Sequence, residues 1–279
     1  MNELSKLTFS GRDEFNRKGI AEKIIQLLES DIEVTPMLIE GEWGTGKTEF
    51  CYKLINLIDE NTSLNSIYID AYAEDHLDDP LIMILGNLSK YIEQNLIETK
   101  PEIKEKFFKA AIPVVKFLLK TSLKAGVNLV LKQNADTIGE ELQDTIKEAG
   151  EEAINGTIEA LIEDQEKAQE NINQLKAVIE LITKETPLIL FIDELDRCRP
   201  DFSLKLLEKI KHVFEVANLK FVLLANRAQL VAGIKHTYGY EVEAERYLDK
   251  FFKFSFKLSG YYLWNRSEFR PVTIEHFKN

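Results

Sequence analysis

Between positions 13 and 28 the apolar residues Phe15, Ile20, Ala21, Ile24, Ile25, Leu27 and Leu28 recur at helical spacing, which predicts an opening amphipathic helix. The short apolar run Met37-Leu38-Ile39 then ends in Gly41, and a second helical pattern begins after a glycine-rich turn, from Lys47 to Ile58. Strand, loop, helix is the reading. The same order repeats at Ser66–Ala71, with a helix after Pro80. Far downstream, Pro187–Ile192 runs into Asp193, a helix follows from Ser203, and Lys220–Ala225 forms another apolar strand. Unbroken apolar runs separated by helices predict a parallel sheet covered on both faces. Phe252–Leu258 alternates with period two, as a strand with one wetter face does.

Residues 98 to 186 differ in kind, with long helical periodicity and no strand signal, so a helical insertion is expected between two parts of one core, 1–97 and 187–279. Charge is unevenly spread. Of 279 residues, 35 are Lys or Arg and 47 Asp or Glu, a net charge of −12, yet residues 133–185 alone carry fourteen acids against four lysines. Residues 101–132 are the reverse, with seven lysines against two glutamates. The acidic stretch fits a solvated helix or hairpin with Leu142, Ile146, Ile154, Ile158, Leu161 and Ile162 turned inward. The basic stretch, apolar from Phe107 to Leu131 but broken by Lys109, Lys116, Lys120 and Lys124, fits an amphipathic surface helix that docks on an anionic membrane or a partner. The two charged segments could also pair with each other.

An acidic balance argues against direct nucleic-acid binding, which clustered basic charge drives. With 44% hydrophobic and 29% charged residues, the composition is that of a globular chain with a substantial core. Two distant cysteines, Cys51 and Cys198, form no zinc spacing, and a reducing, cytoplasmic setting is expected. Neither a secretory leader nor a membrane span is visible, and His76, His212, His236 and His276 share no metal-ligand spacing.

The chemistry lies in Gly41-Glu42-Trp43-Gly44-Thr45-Gly46-Lys47-Thr48, which matches G-x-x-x-x-G-K-[ST] between a strand and a helix. Glycines let backbone N–H groups approach phosphates, Lys47 brings a cation to the β and γ oxygens, Thr48 is a Mg²⁺ ligand, and the helix aims its N-terminus at the anion, so residues 41–49, through Glu49, are expected to bind the nucleotide. An acidic partner for the metal belongs at the end of another apolar strand, where Asp193 stands. Glu194, next to it, is placed to accept a proton from an attacking water. A pair of acids capping a helix is the plainer alternative.

GEWGTGKT, followed by FIDELDRCRPD, LLANRAQL and AERYLDKFF, resembles the KAP family of P-loop NTPases over about residues 9–97 and 187–258. Trp43 and the Asp196-Arg197-Cys198 extension are the most distinctive points. Tyr68-Ile69-Asp70-Ala71-Tyr72 with Asp79-Pro80-Leu81 is similar to the family's second strand and helix, although Tyr72 stands where a tryptophan is usual. The resemblance implies an ATPase of the division in which an additional strand separates the loop strand from the acidic strand, with a catalytic glutamate. It further implies a polar sensor at the tip of the fourth strand, here Asn226, and an arginine acting in the transition state, for which Arg197, Arg199, Arg227 and Arg246 are candidates. Many members carry transmembrane helices where this chain has its lysine-rich insertion. Only about twenty residues follow Leu258, so the helical lid expected over the nucleotide is missing or belongs to a longer chain.

The expected protein is thus an α/β, three-layer P-loop NTPase with a parallel central sheet, binding and slowly hydrolysing Mg·ATP as a switch or motor module, with phage defence one setting. Catalysis is expected from Glu194, Lys47 and Asn226, with metal on Thr48 and Asp193. Other readings are a nucleotide-gated scaffold with little turnover, contacting a partner or second copy through 98–186, and, with less support, a small-molecule kinase.

Overall fold

The computed structural model describes residues 6–13, 15–77, 79–96, 100–124, 158–258, 261–265 and 268–271. Along the chain these form α1 (Lys18–Glu29), β1 (Met37–Glu40), α2 (Lys47–Asn61), β2 (Asn65–Asp70), α3 (Ala71–Glu74), α4 (Pro80–Asn95), α5 (Pro101–Lys124), α6 (Ile158–Thr183), β3 (Leu188–Asp193), a 3₁₀ turn (Leu195–Arg197), α7 (Pro200–His212), β4 (Leu219–Ala225), α8 (Arg227–Tyr238), α9 (Ala244–Asp249), β5 (Phe254–Lys257), β6 (Tyr261–Asn265) and β7 (Glu268–Pro271). Two compact units result. The first comprises Met1–Tyr72, Thr186–Leu204 and Lys220–Asn279, the second Ala73–Glu185 and Lys205–Leu219.

The first unit is built on a five-stranded parallel sheet in the order β2-β3-β4-β1-β5. β4 therefore lies between the loop strand β1 and the acidic strand β3, which is the additional strand that the sequence resemblance implied. Alternation along each strand explains why the runs are apolar throughout. Met37 and Ile39 of β1, Ile189 and Phe191 of β3 and Val222 and Leu224 of β4 join one core with Ala21, Ile24, Ile25 and Leu28 of α1 and Phe50, Cys51, Leu54 and Ile58 of α2. The intervening residues Leu38, Leu190, Ile192 and Leu223 point to the opposite face and are buried too.

Register aligns the strand ends. Glu40 pairs with Ala225 and Asp70 with Asp193, so the segments that follow β1, β3 and β4 emerge along one edge of the sheet. The loop after β1 is tied to that edge by the Gly41 N–H, which donates to the Ala225 carbonyl at 3.2 Å. Ligands of open parallel sheets bind at this carboxyl edge.

Two boundaries differ from the periodicity. The opening helix begins at Lys18, because Asp13 caps it from outside, its carboxylate accepting from the N–H groups of Arg17 (2.8 Å) and Lys18 (3.0 Å). Helix α7 begins at Pro200, a residue suited to a first helical position because its missing N–H needs no partner there. Beyond the fifth strand, β6 and β7 form an antiparallel pair that the apolar pattern does not foretell.

In the second unit α5 runs against α6, and α4 packs on α5. The apolar stripe of α5 is consumed in this packing: Phe107, Phe108, Ala111, Val114, Val115 and Leu119 are buried, as are Leu175 and Ile179 of α6. That stripe is not an open face for a membrane, and among the described residues no helix is long and apolar enough to cross one. Leu142, Ile146, Ile154 and the basic segment beyond Lys124 lie outside the described residues, as do the side chains of Ile158, Leu161 and Ile162.

Candidate functional site

Residues 41–48 wrap the N-terminus of α2. Two left-handed glycines make the turn, Gly44 at φ 77° and Gly46 at φ 74°, the latter immediately before the first helical residue. Gly41 is required for a different reason: a Cβ there would fall 2.6 Å from the Thr45 hydroxyl oxygen. The turn closes on itself, with the Thr45 hydroxyl donating to the Glu42 carbonyl at 2.8 Å. Lys47 folds back over it and donates from Nζ to the carbonyls of Gly41 (3.0 Å) and Glu42 (3.4 Å). The ammonium is buried, held by neutral carbonyl oxygens, and can exchange them for phosphate oxygens at little cost. Glu49 turns the other way and pairs with Lys53 at 2.7 Å.

Opposite the loop stand the two acids. Asp193, fully buried, accepts from its neighbour's N–H (Glu194, 2.8 Å) and from the Tyr68 hydroxyl (3.3 Å), and the nearby Thr48 side chain favours its charged form. Burial pushes its carboxyl pKa up; the Thr48 side chain, the Glu194 N–H and the charge of Lys47 oppose the shift. Glu194 occupies the left-handed region at φ 59°, unusual for a residue with a side chain, and its Oε1 lies 3.5 Å from the Thr48 hydroxyl. Its pKa is raised by burial and by the charge of Asp193, with Arg197 opposing. Arg197 Nε meets Glu194 Oε2 at 2.5 Å.

Thr48 and Asp193 bring hard oxygen donors together, the kind Mg²⁺ takes when substrate phosphates and water complete its shell. Among the described residues no group of three or more His, Cys, Asp or Glu could hold a metal unaided.

Asn226 follows the end of β4, directly after the residue that binds Gly41. Its Oδ1 accepts from the Ala228 N–H at 3.1 Å and so caps α8, which leaves the amide N–H₂ as the end available to a ligand. Of the candidate arginines, Arg227 is taken up by Asp249 and Glu245, and Arg246 by Glu243.

Three contacts escape sequence reasoning. Arg17, 5% exposed, donates from Nη1 to the Thr45 carbonyl at 2.6 Å and stacks over Phe15, buttressing the loop from outside it. Tyr68 reaches Asp193 from the neighbouring strand. The Trp43 indole N–H donates to Asp196 Oδ2 at 2.7 Å, tying the two most distinctive sequence features to each other. Only pairing of β2 with β3 in register could have exposed the second, and no local signal marks the others.

A glycine turn on a helix N-terminus, a lysine folded over it and a buried acid at the end of a strand two places away define a nucleotide-binding domain of the P-loop NTPase class. The chain belongs to the KAP family: the model described as the KAP family P-loop domain matches residues 17–263. A comparison with curated proteins gives no match.

Proposed function

We propose that the chain binds Mg·ATP and hydrolyses it slowly, as a switch or motor module built on 1–97 and 187–279, with 98–186 as a helical insertion that meets a partner. The observation that carries this reading is the convergence of Thr48, Asp193 and Glu194 across from Lys47. Loop amides and Lys47 hold the phosphates; Thr48 and Asp193 would hold Mg²⁺, which when bound offsets phosphate charge. Glu194 accepts the proton of the attacking water, and burial that raises its pKa makes it the stronger base. The Asn226 amide donates to the γ-phosphate or that water.

Glu194→Gln should retain ATP binding by calorimetry while phosphate release falls by about 10²-fold or more, since one general base contributes roughly 10²–10⁴. Lys47→Ala should lose measurable ATP affinity. Unchanged turnover in Glu194→Gln removes Glu194 from the role, and an unmodified chain that binds ATP without releasing phosphate is a nucleotide-gated scaffold instead.

A further inference from the structure

We propose that Arg197 is the positioning residue of Glu194, holding the carboxylate in its working orientation instead of neutralising charge on the transferred phosphoryl group. The inference rests on the hydrolytic reading of Glu194. Among the four candidate arginines, Arg227 and Arg246 are engaged by acids of the α8–α9 region, and Arg199 is engaged as well. Arg197 reaches a residue of the site itself. Its Nε lies 2.5 Å from Glu194 Oε2, while Oε1 of the same carboxylate is left facing Thr48 at 3.5 Å. One oxygen is anchored and the other is presented.

The local backbone makes this pairing specific. Glu194 and Arg197 stand three apart across a 3₁₀ turn, where residues i and i+3 eclipse, and the Arg197 N–H also donates to the Glu194 carbonyl at 3.1 Å. The turn is held to the loop by its middle residue, since Asp196 accepts from the Trp43 indole. Arg197 thus acts on Glu194 from a platform referenced to the phosphate loop itself. The guanidinium, 52% exposed, opposes the rise of the Glu194 pKa only in part because water screens its charge; what it adds besides is direction.

Glu194 is otherwise poorly restrained. Its left-handed backbone fixes where the side chain starts, and among the described residues the only other partner of its carboxylate is the long contact to Thr48. Truncating Arg197 therefore frees rotamers of Glu194 while leaving Lys47, Thr48 and the loop as they are. Binding should survive and the chemical step should not.

Phosphate release and ATP affinity are measured for the full chain and for Arg197→Ala, Arg197→Lys, Glu194→Gln and the Glu194→Gln/Arg197→Ala pair. Arg197→Ala should lower kcat about tenfold, the scale of a misdirected catalytic group, with ATP affinity held within about twofold. Arg197→Lys, which keeps a donor at the same place, should recover much of that loss. The double variant should turn over no slower than Glu194→Gln, because the arginine acts only through the glutamate. Arg197→Ala at the unmodified rate overturns the proposal, as does a loss of affinity equal to the loss of rate, or a lysine variant no better than alanine. A further loss on top of Glu194→Gln overturns it in favour of direct contact with phosphate. Turnover by Glu194→Gln equal to that of the unmodified chain sinks the reading of Glu194 as well, and so does an unmodified chain that releases no phosphate.

Discussion

Gly41 and Trp43 show how single residues of the loop carry different burdens. Gly41→Ala puts a methyl 2.6 Å from the Thr45 hydroxyl oxygen and 3.3 Å from the Lys47 side chain, so both must move. The expected result is a chain that folds but binds ATP at least about tenfold more weakly, read by calorimetry, because anion binding here depends on loop amides at fixed positions. Trp43→Phe keeps an aromatic ring and deletes one donor. Asp196 Oδ1 is buried without a partner among the described residues, and the substitution hands Oδ2 from the indole to solvent. A loss of about 1 kcal/mol follows for one such bond, and a melting point lower by about 2–4 °C.

At the scale of elements, Asn226 caps α8 and is proposed to contact the nucleotide, and the two roles can be separated. Oδ1 caps α8, so Asn226→Ala should cost about 1 kcal/mol of stability whatever its catalytic role. Asn226→Asp keeps the acceptor at a helix N-terminus, where a negative charge is welcome, but deletes the amide donor. Its melting point should match that of the unmodified chain while phosphate release falls several-fold; a normal rate in this variant would make Asn226 a cap and nothing more. The same distinction explains which element boundaries were legible. Helix α2 starts where glycines end and a periodic apolar face begins, both local properties. Helix α1 starts later than its apolar pattern because Asp13 folds back to cap it, a contact that spacing alone does not foretell.

Across the sheet-bearing unit as a whole, Cys51 offers a probe of cooperative opening. It lies in the core between α1, α2 and the sheet, fully buried, and burial, aided by the charge of Asp193, pushes its thiol well up. The thiolate is the reactive form, so raising pH from 7 to 9 should accelerate alkylation of the unfolded chain and scarcely touch the native one. In a Cys198→Ser background, alkylation then reports opening of the core. Mg·ATP at about one hundred times its dissociation constant should slow it by about 10²-fold, since a ligand that binds only the folded state stabilises it by RT ln(1 + [L]/Kd). Alkylation unaffected by nucleotide would mean that the core opens without releasing the loop.

The sequence by itself determined the elements and their chemistry: apolar runs need two covered faces, glycines permit a left-handed turn, and a lysine, a threonine and two acids state what the turn is for. These are properties of residues and near neighbours, and periodicity transmits them. The apolar pattern alone left strand order open, and four arginines stood equal. Tertiary structure set β4 between β1 and β3 and brought Arg197 against Glu194. Insertion of β4 between β1 and β3 brought Asn226 and Asp193 to the edge occupied by the loop. The ring of contacts from Arg17 to Thr45, Trp43 to Asp196 and Arg197 to Glu194 then fixed the loop and the glutamate in place. Hydrogen bonds and ion pairs fall off within a few ångströms, so a partner 28 or 153 positions away in the chain becomes a partner only after the sheet has formed.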